Sequence, residues 1–231
     1  MIFRQFIDYD SFTYTYLLAS GVGREAIIID PVLEQMPLYA KLLDELGLKL
    51  VIALETHMHA DHITASGALR AKYRCDIAMG DQTKASGITM RLVDNEMIRI
   101  EGLEMKTLHT PGHTLDSYCF VMTDRIFTGD TLFIRGSGRT DFDDGDPYAA
   151  YDSIVNKLLT LPENILLYPG HDYKGMTVST IGEEKHCNPR LQVNSPEEYA
   201  AIMNNLNLDQ PKLAHIAIPA NLSCGLEKTE A

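Results

Sequence analysis

Basic residues are scarce in this chain: 20 Lys and Arg stand against 32 Asp and Glu, a net charge of −12. A nucleic-acid partner is therefore not expected, because phosphate backbones select basic surfaces. Long apolar runs are missing as well. No stretch approaches the ~20 apolar residues that a membrane-spanning helix needs, so no membrane partner is expected. The opening segment, MIFRQFIDYDSFTYTY, has neither the apolar core of a secretory signal nor the Arg- and Ser-rich, acid-poor look of an organellar leader. Cysteine is sparse and scattered. Cys75, Cys119, Cys187 and Cys224 form no CxxC pair, which is the pattern of free thiols in a reducing compartment. A cytoplasmic protein is expected. Repeats, low-complexity tracts and obvious linkers are also lacking. The chain has 231 residues with 45% hydrophobic content, enough for a full core. It is expected to form one domain over residues 1–231, with a short C-terminal appendage from about residue 180.

What is present is an alternation of strand and helix patterns. TYTYLLAS and EAIIIDP are strand-like, and LYAKLLDELG spaces Leu38, Leu42, Leu43 and Leu46 as the buried stripe of a helix closed by Gly47. LKLVIALETH is a strand buried on both faces, ITASGALRAKY resumes helical spacing, and CDIAMG is a short strand. MIRIEGLEMKTLHTPGH alternates around a turn at Gly102, and SYCFVMTDRIFTGD predicts a hairpin turning at Thr123 and Asp124. DPYAAYDSIVNKLLTLP predicts one amphipathic helix capped by Asp146 before Pro147. NILLYPGHDY is a strand ending on a histidine, and SPEEYAAIMNNL opens with Ser195 and Glu198 in capping-box spacing.

Polar residues collect where these strands end. THMHADH, HTPGH, the Gly129-Asp130 pair and YPGH each follow an apolar run, and six of the eight histidines (His57, His59, His62, His109, His113 and His171) lie there. Loops at strand ends converge on one rim of a layered α/β fold, where sites are usually built. His57 and His59 are two residues apart, so an extended backbone points both to one side. Asp61 and His62, at the turn toward a helix, can face a neighbouring position.

This arrangement resembles the metallo-β-lactamase superfamily, whose HxHxDH signature appears as His57, His59, Asp61 and His62, with further matching positions at His113, Asp130 and His171. The resemblance implies an α/β fold, an αββα sandwich of two mixed β-sheets flanked by helices. RGSGRTDF, YPGHDY, TVSTIGEEKHCNPRL and MNNLNLDQPKLAHIAIPAN resemble one branch, the persulfide dioxygenases, over almost the full chain. That branch implies oxidation of glutathione persulfide by O2 to sulfite and glutathione, in sulfide and persulfide detoxification, on one Fe(II) per chain. Its metal ligands correspond to His57, His113 and Asp130, which leave roughly three positions open on an octahedral iron for sulfur, O2 and water. His59, Asp61, His62 and His171 would then orient ligands and water, or hold a vestigial second metal. Arg139 and Tyr173 are implied as contacts to the glutathione portion, and a homodimer is the expected assembly.

The rival is glyoxalase II, a dinuclear-zinc hydrolase of glutathione thioesters that shares the THxHxDH stretch. It typically has a bulky aromatic pair where this chain has Thr140 and Asp141, and a longer helical C-terminal domain. Only 60 residues follow His171 here, short for a second domain. Two departures stand out inside the dioxygenase pattern. Met58 stands where some family members carry cysteine and Ser137 where several do, so the resemblance does not carry thiol-based modulation over to those positions.

Overall fold

The computed structural model describes residues 1–226. In chain order the regular elements are β1 (Ile2–Ile7), β2 (Tyr14–Ala19), β3 (Glu25–Ile29), α1 (Met36–Glu45), β4 (Lys49–Leu54), α2 (Ser66–Tyr73), β5 (Asp76–Gly80) and β6 (Met90–Leu92). Then come β7 (Met97–Ile100), β8 (Leu103–His109), β9 (Tyr118–Val121), β10 (Arg125–Gly129), α3 (Pro147–Asp152), β11 (Leu166–Pro169), β12 (Ser179–Thr180), α4 (Ile181–Cys187), α5 (Pro196–Asn204) and α6 (Ala214–Asn221). The chain divides into two compact units. One comprises Met1–Leu92, Ile98–Glu104 and the chain from Gln210; the other comprises Val93–Met97 and Met105–Asp209.

The first unit holds a mixed sheet in the order β1-β2-β3-β4-β5-β6. β1, β2 and β3 are antiparallel neighbours, whereas β3 to β6 run parallel. Leu17, Ala19, Ala26 and Ile28 cluster with Tyr39 and Leu43 of α1 and Leu69 of α2. Their alternates Tyr16, Leu18, Ile27 and Ile29 are buried too, as period-two strands closed on both faces require. Each such side chain contributes about 1.5–3 kcal/mol on burial. The stripe on α1 differs from the expected one. Tyr39, Ala40 and Leu43 are buried, while Leu38 is 45% exposed. The Tyr39 hydroxyl explains the rotation: it lies 2.9 Å from the Thr15 hydroxyl and accepts from the Val32 amide at 3.2 Å, which fixes the tyrosine face inward.

The second sheet runs β12-β11-β10-β9-β8-β7; β10 and β11 are parallel, while β8–β9, β9–β10 and β11–β12 are antiparallel. The β9–β10 hairpin turns at Thr123 and Asp124, closed by the Met122 amide on the Arg125 carbonyl at 2.8 Å. The helix expected from Asp146 is capped as read, with the Asp146 carboxylate accepting from the Tyr148 amide at 2.8 Å. It is not one regular α-helix, however. α3 passes into a π-turn over Ser153–Lys157 and a 3-10 turn over Leu158–Thr160. The widened turn is where the Ser153 hydroxyl donates to the Pro111 carbonyl and the Lys157 ammonium to the His109 carbonyl, at 2.7 and 2.6 Å. Ile154 and Leu158 keep the apolar stripe fully buried.

Residues beyond 180 divide between the units. α4 and α5 belong to the second, where Tyr199 and Met203 of α5 join its core, and α6 belongs to the first. Among the described residues no helix is long and apolar enough to cross a membrane.

Candidate metal centre

In the first unit, β4 ends at Leu54 and the chain runs as an irregular loop until α2 begins at Ser66. The loop's order comes from buried side chains. Asp30, at the end of β3, accepts from the Thr56 amide at 2.7 Å and from the Thr56 hydroxyl at 2.8 Å. Thr56 Oγ1 also lies 2.9 Å from His57 Nδ1. Because the hydroxyl proton is committed to Asp30, the ring must donate here. His57 therefore carries its proton on Nδ1 and presents Nε2 as a lone pair.

His59 is held by the opposite nitrogen. Its Nε2 lies 3.2 Å from both Asp30 Oδ1 and Glu55 Oε2. Burial opposes the charged imidazole, yet Asp30 and Glu55 raise its pKa well above the ordinary value. Asp30 shows the reverse balance: burial alone would raise its carboxyl, but the charge and hydrogen bond of His59, with His57 and the Thr56 amide, leave it lowered. His62 Nδ1 lies 2.9 Å from Asp61 Oδ2, which also accepts from the Thr13 hydroxyl at 2.9 Å. His59 Nδ1 and His62 Nε2 are buried without a hydrogen-bond partner. One donor atom from each of His59, Asp61 and His62 lies within 4.8 Å of the others. Orphaned imidazole nitrogens beside a carboxylate have the donor chemistry of a metal site once a cation displaces the proton that His59 would otherwise carry, so these residues fit a cation.

In the second unit, Asp130 is aimed by a bulge. Along β10 and β11 the pairing passes from Phe127↔Tyr168 to Gly129↔Pro169, leaving Thr128 extra, and Gly129 takes a φ of +48°. Such a bulge turns the next side chain out of the pleat. Asp130 Oδ1 accepts from His171 Nδ1 at 2.7 Å, and Asp130 Oδ2 lies 3.5 Å from His113 Nε2. His113 Nδ1 donates to the Arg139 carbonyl at 2.8 Å, which again leaves Nε2 as the lone pair. The RGSGRTDF segment wraps this pair. The Gly138 amide donates to the Asp130 carbonyl at 2.8 Å, and Phe142 meets the His113 ring edge-on at 5.3 Å. Gly170 is required for close approach, because a Cβ there would lie 2.6 Å from Asp130 Oδ1. Gly170→Ala is therefore expected to displace this carboxylate, cutting metal occupancy and costing about 1–3 kcal/mol through overpacking. Metal analysis and thermal melting of the variant check both.

Arg139 and Tyr173 are placed differently from each other. The Arg139 guanidinium forks onto Asp141 at 2.6 and 2.8 Å, donates to the Asp209 carbonyl at 2.6 Å and sits 4.9 Å above the Phe142 ring. This pairing holds the Asp141 carboxyl below its usual range. Tyr173 is 64% exposed and stacks on His171, with centroids 6.1 Å apart. His109 is committed to structure, its Nε2 lying 2.8 Å from the Leu115 carbonyl. Ser137 is buried, with its hydroxyl 2.9 Å from that of Tyr199. Burial pushes the Cys75, Cys119 and Cys224 thiols up to about 11, so none of these three is poised as a thiolate.

Asp30, Glu55, Thr13 and Asn221 carry much of this geometry but do not stand out from the sequence. Asp30 had a signal, the acid ending EAIIIDP, though it looks there like an ordinary strand terminator. Glu55 accepts from the hydroxyls of Thr64 and Ser66, contacts that no local pattern announces.

The metallo-β-lactamase superfamily model matches residues 8–89 and 80–171. The chain is 44% identical over 229 residues to the mitochondrial persulfide dioxygenase ETHE1 of Mus musculus, covering 98% of this chain and 90% of that protein. The crystal structure of ETHE1 from Myxococcus xanthus superposes with a TM-score of 0.95 at 48% identity, covering 98% of this chain and all of that one. A probable hydroxyacylglutathione hydrolase of Schizosaccharomyces pombe is 32% identical, covering 86% of this chain and 88% of its own length.

Proposed function

Since the chain belongs to the persulfide dioxygenases, within the metallo-β-lactamase superfamily and with its fold of two mixed β-sheets and flanking helices, we propose that it oxidises glutathione persulfide with O2 to sulfite and glutathione. In the balanced reaction, persulfide, O2 and water give glutathione, sulfite and two protons; the outer sulfur is oxidised and O2 is reduced. We propose one Fe(II) per chain, held by His57, His113 and Asp130. Two imidazoles whose Nδ1 protons are committed inside the protein, together with one carboxylate, carry this assignment. Iron in such a face supplies open positions and redox chemistry for sulfur and O2.

The remaining residues hold and orient. Asp130 is oriented by the His171 ring, from which it accepts, and Asp61 with Thr13 fixes the His62 ring. Arg139 and Tyr173 are proposed to grip the glutathione portion, where a substrate carboxylate would take the place of the Asp209 or Asp141 contact on the guanidinium. Arg139→Ala is then expected to raise KM more than it lowers iron content. Loss of a charge-assisted contact of ~1.5–3 kcal/mol corresponds to roughly ten- to a hundredfold in kcat/KM. An unchanged KM with a lowered melting temperature would mark the Asp141 pair as structural. A cytoplasmic homodimer belongs to the same proposal; four free thiols suit that compartment, and sedimentation checks the assembly.

The second reading, a dinuclear-zinc hydrolase of glutathione thioesters, is favoured by one observation: the unpartnered nitrogens of His59 and His62 beside Asp61. Its named relative is similar at lower identity. Oxygen uptake with glutathione persulfide, on iron-loaded protein prepared anaerobically, separates the two. Uptake supports the dioxygenase, and thioester hydrolysis without uptake supports the rival.

A further inference from the structure

The loop that carries His57, His59 and His62 is neither strand nor helix, yet most of it is buried. Buried carbonyls and amides without partners are costly, so something must answer them. Within the first unit the answer comes from 160 residues away in sequence, roughly, on α6. Asn221 Nδ2 donates to the His59 carbonyl at 3.0 Å and to the His62 carbonyl at 2.8 Å. Its Oδ1 accepts from the Thr64 amide at 2.9 Å. A primary amide is suited to this, since it offers two donors and an acceptor in one plane. Asn221 is itself buried.

The end of α6 is locked in place around this side chain. Cys224 takes a φ of +55°, and the Gly225 amide returns to the Ala220 carbonyl at 3.0 Å, closing the helix. The Cys224 carbonyl then accepts from the Gly67 amide at 2.9 Å in the first turn of α2. Both glycines are needed for the approach: a Cβ on Gly225 would lie 2.0 Å from the Thr64 carbonyl, and one on Gly67 would lie 2.6 Å from the Cys224 carbonyl. Asn221 is thus presented to the loop by a closely packed, hydrogen-bonded turn.

We propose that Asn221 is a positioning residue for the metal centre: its amide fixes the backbone of His59, His62 and Thr64, and through it the rings that share the loop with His57. This rests on the reading of that loop as metal-binding, but not on which reaction the metal performs. Asn221→Leu removes all three hydrogen bonds. Asn221→Asp keeps the acceptor for Thr64 and sets a carboxylate oxygen against two carbonyls. Ser86→Ala is the control, because it removes only the Ser86 hydroxyl bond to the Leu222 carbonyl at 2.9 Å on the same helix end.

Three measurements decide the matter: Fe(II) affinity against a competing chelator, the visible absorption of the Co(II)-loaded protein, and amide hydrogen exchange of the apoprotein. Both Asn221 variants should bind iron about 10- to 100-fold more weakly, the effect typical of groups that orient ligands. Their Co(II) spectra should shift, while Ser86→Ala matches the wild type in both. Thr64 should exchange slowly in the wild type and in Asn221→Asp, and fast in Asn221→Leu. Wild-type metal affinity and spectrum in the folded Asn221 variants would overturn the proposal, as would an equal loss in Ser86→Ala. Should neither Asn221 variant fold, the wild-type apoprotein still decides, since fast exchange at Thr64 contradicts the clamp. Failure of the dioxygenase reading would show separately, in the oxygen-uptake assay of the wild type.

Discussion

Asp130→Asn should give a folded protein that has lost most of its iron. The substitution keeps the shape and an oxygen for His171, whose Nδ1 lies 2.7 Å from Asp130 Oδ1, but removes the only negative charge assigned to the iron. Loss of affinity should exceed the ~10- to 100-fold typical of residues that merely support a ligand, and oxygen uptake should fall with it. Asp61→Asn is the contrasting case. Its carboxylate accepts from Thr13 and His62 and is proposed to lie outside the iron's ligand set. That variant should keep most of its iron and lose about 10- to 100-fold in activity. In a two-metal hydrolase the outcomes differ, because Asp61→Asn would empty one of two filled positions. Iron analysis and oxygen uptake on both variants check the pair.

The largest effect on stability is expected at Asp30. Its carboxylate is 1% exposed and holds Thr56 by two hydrogen bonds and His59 by a third. Removing one partner of a buried charged network costs about 3–5 kcal/mol, since the groups left behind keep their burial without their counter-charge. Asp30→Asn should therefore melt well below the wild type in the apo form. The pH dependence follows from the direction of the shift. A carboxyl lowered in the folded state contributes stability that is complete above its unfolded pKa, about 4, and lost as pH falls through the folded value. The wild type's advantage over Asp30→Asn should accordingly be full near neutrality and shrink below about pH 4. Denaturant melts of both apoproteins across that range test this, and an advantage that persists unchanged at low pH would contradict it.

Elements with a strong local signature could be read from sequence, as could the residues that end them. The hairpin at Thr123 and Asp124, the Asp146 cap and the Ser195 cap depend on neighbours within a few positions, and each is found. The side-chain pair His113 and Asp130 was legible for a similar reason, each following an apolar strand. Orientation was harder. The leucines of α1 suggested a stripe through Leu38, but the docking face is chosen by Tyr39 and its bonds to Thr15 and Val32, a tertiary choice that periodicity does not contain. The π-turn after Asp152 was likewise invisible, because it answers the carbonyls of Pro111 and His109. Least legible were the residues supporting the metal loop. Asp30 acts through Thr56, and Asn221 acts from the far end of the chain, so neither leaves a spacing to recognise.

The most direct test joins metal content to oxygen consumption in a single preparation. Protein grown with supplemented iron, purified anaerobically and assayed with glutathione persulfide in an oxygen electrode should contain close to one iron per chain and little zinc. It should consume O2 as sulfite appears, and chelation of the iron should abolish the uptake. Two tightly bound zinc ions per chain, with no oxygen uptake and with hydrolysis of a glutathione thioester that survives iron removal, would contradict the account.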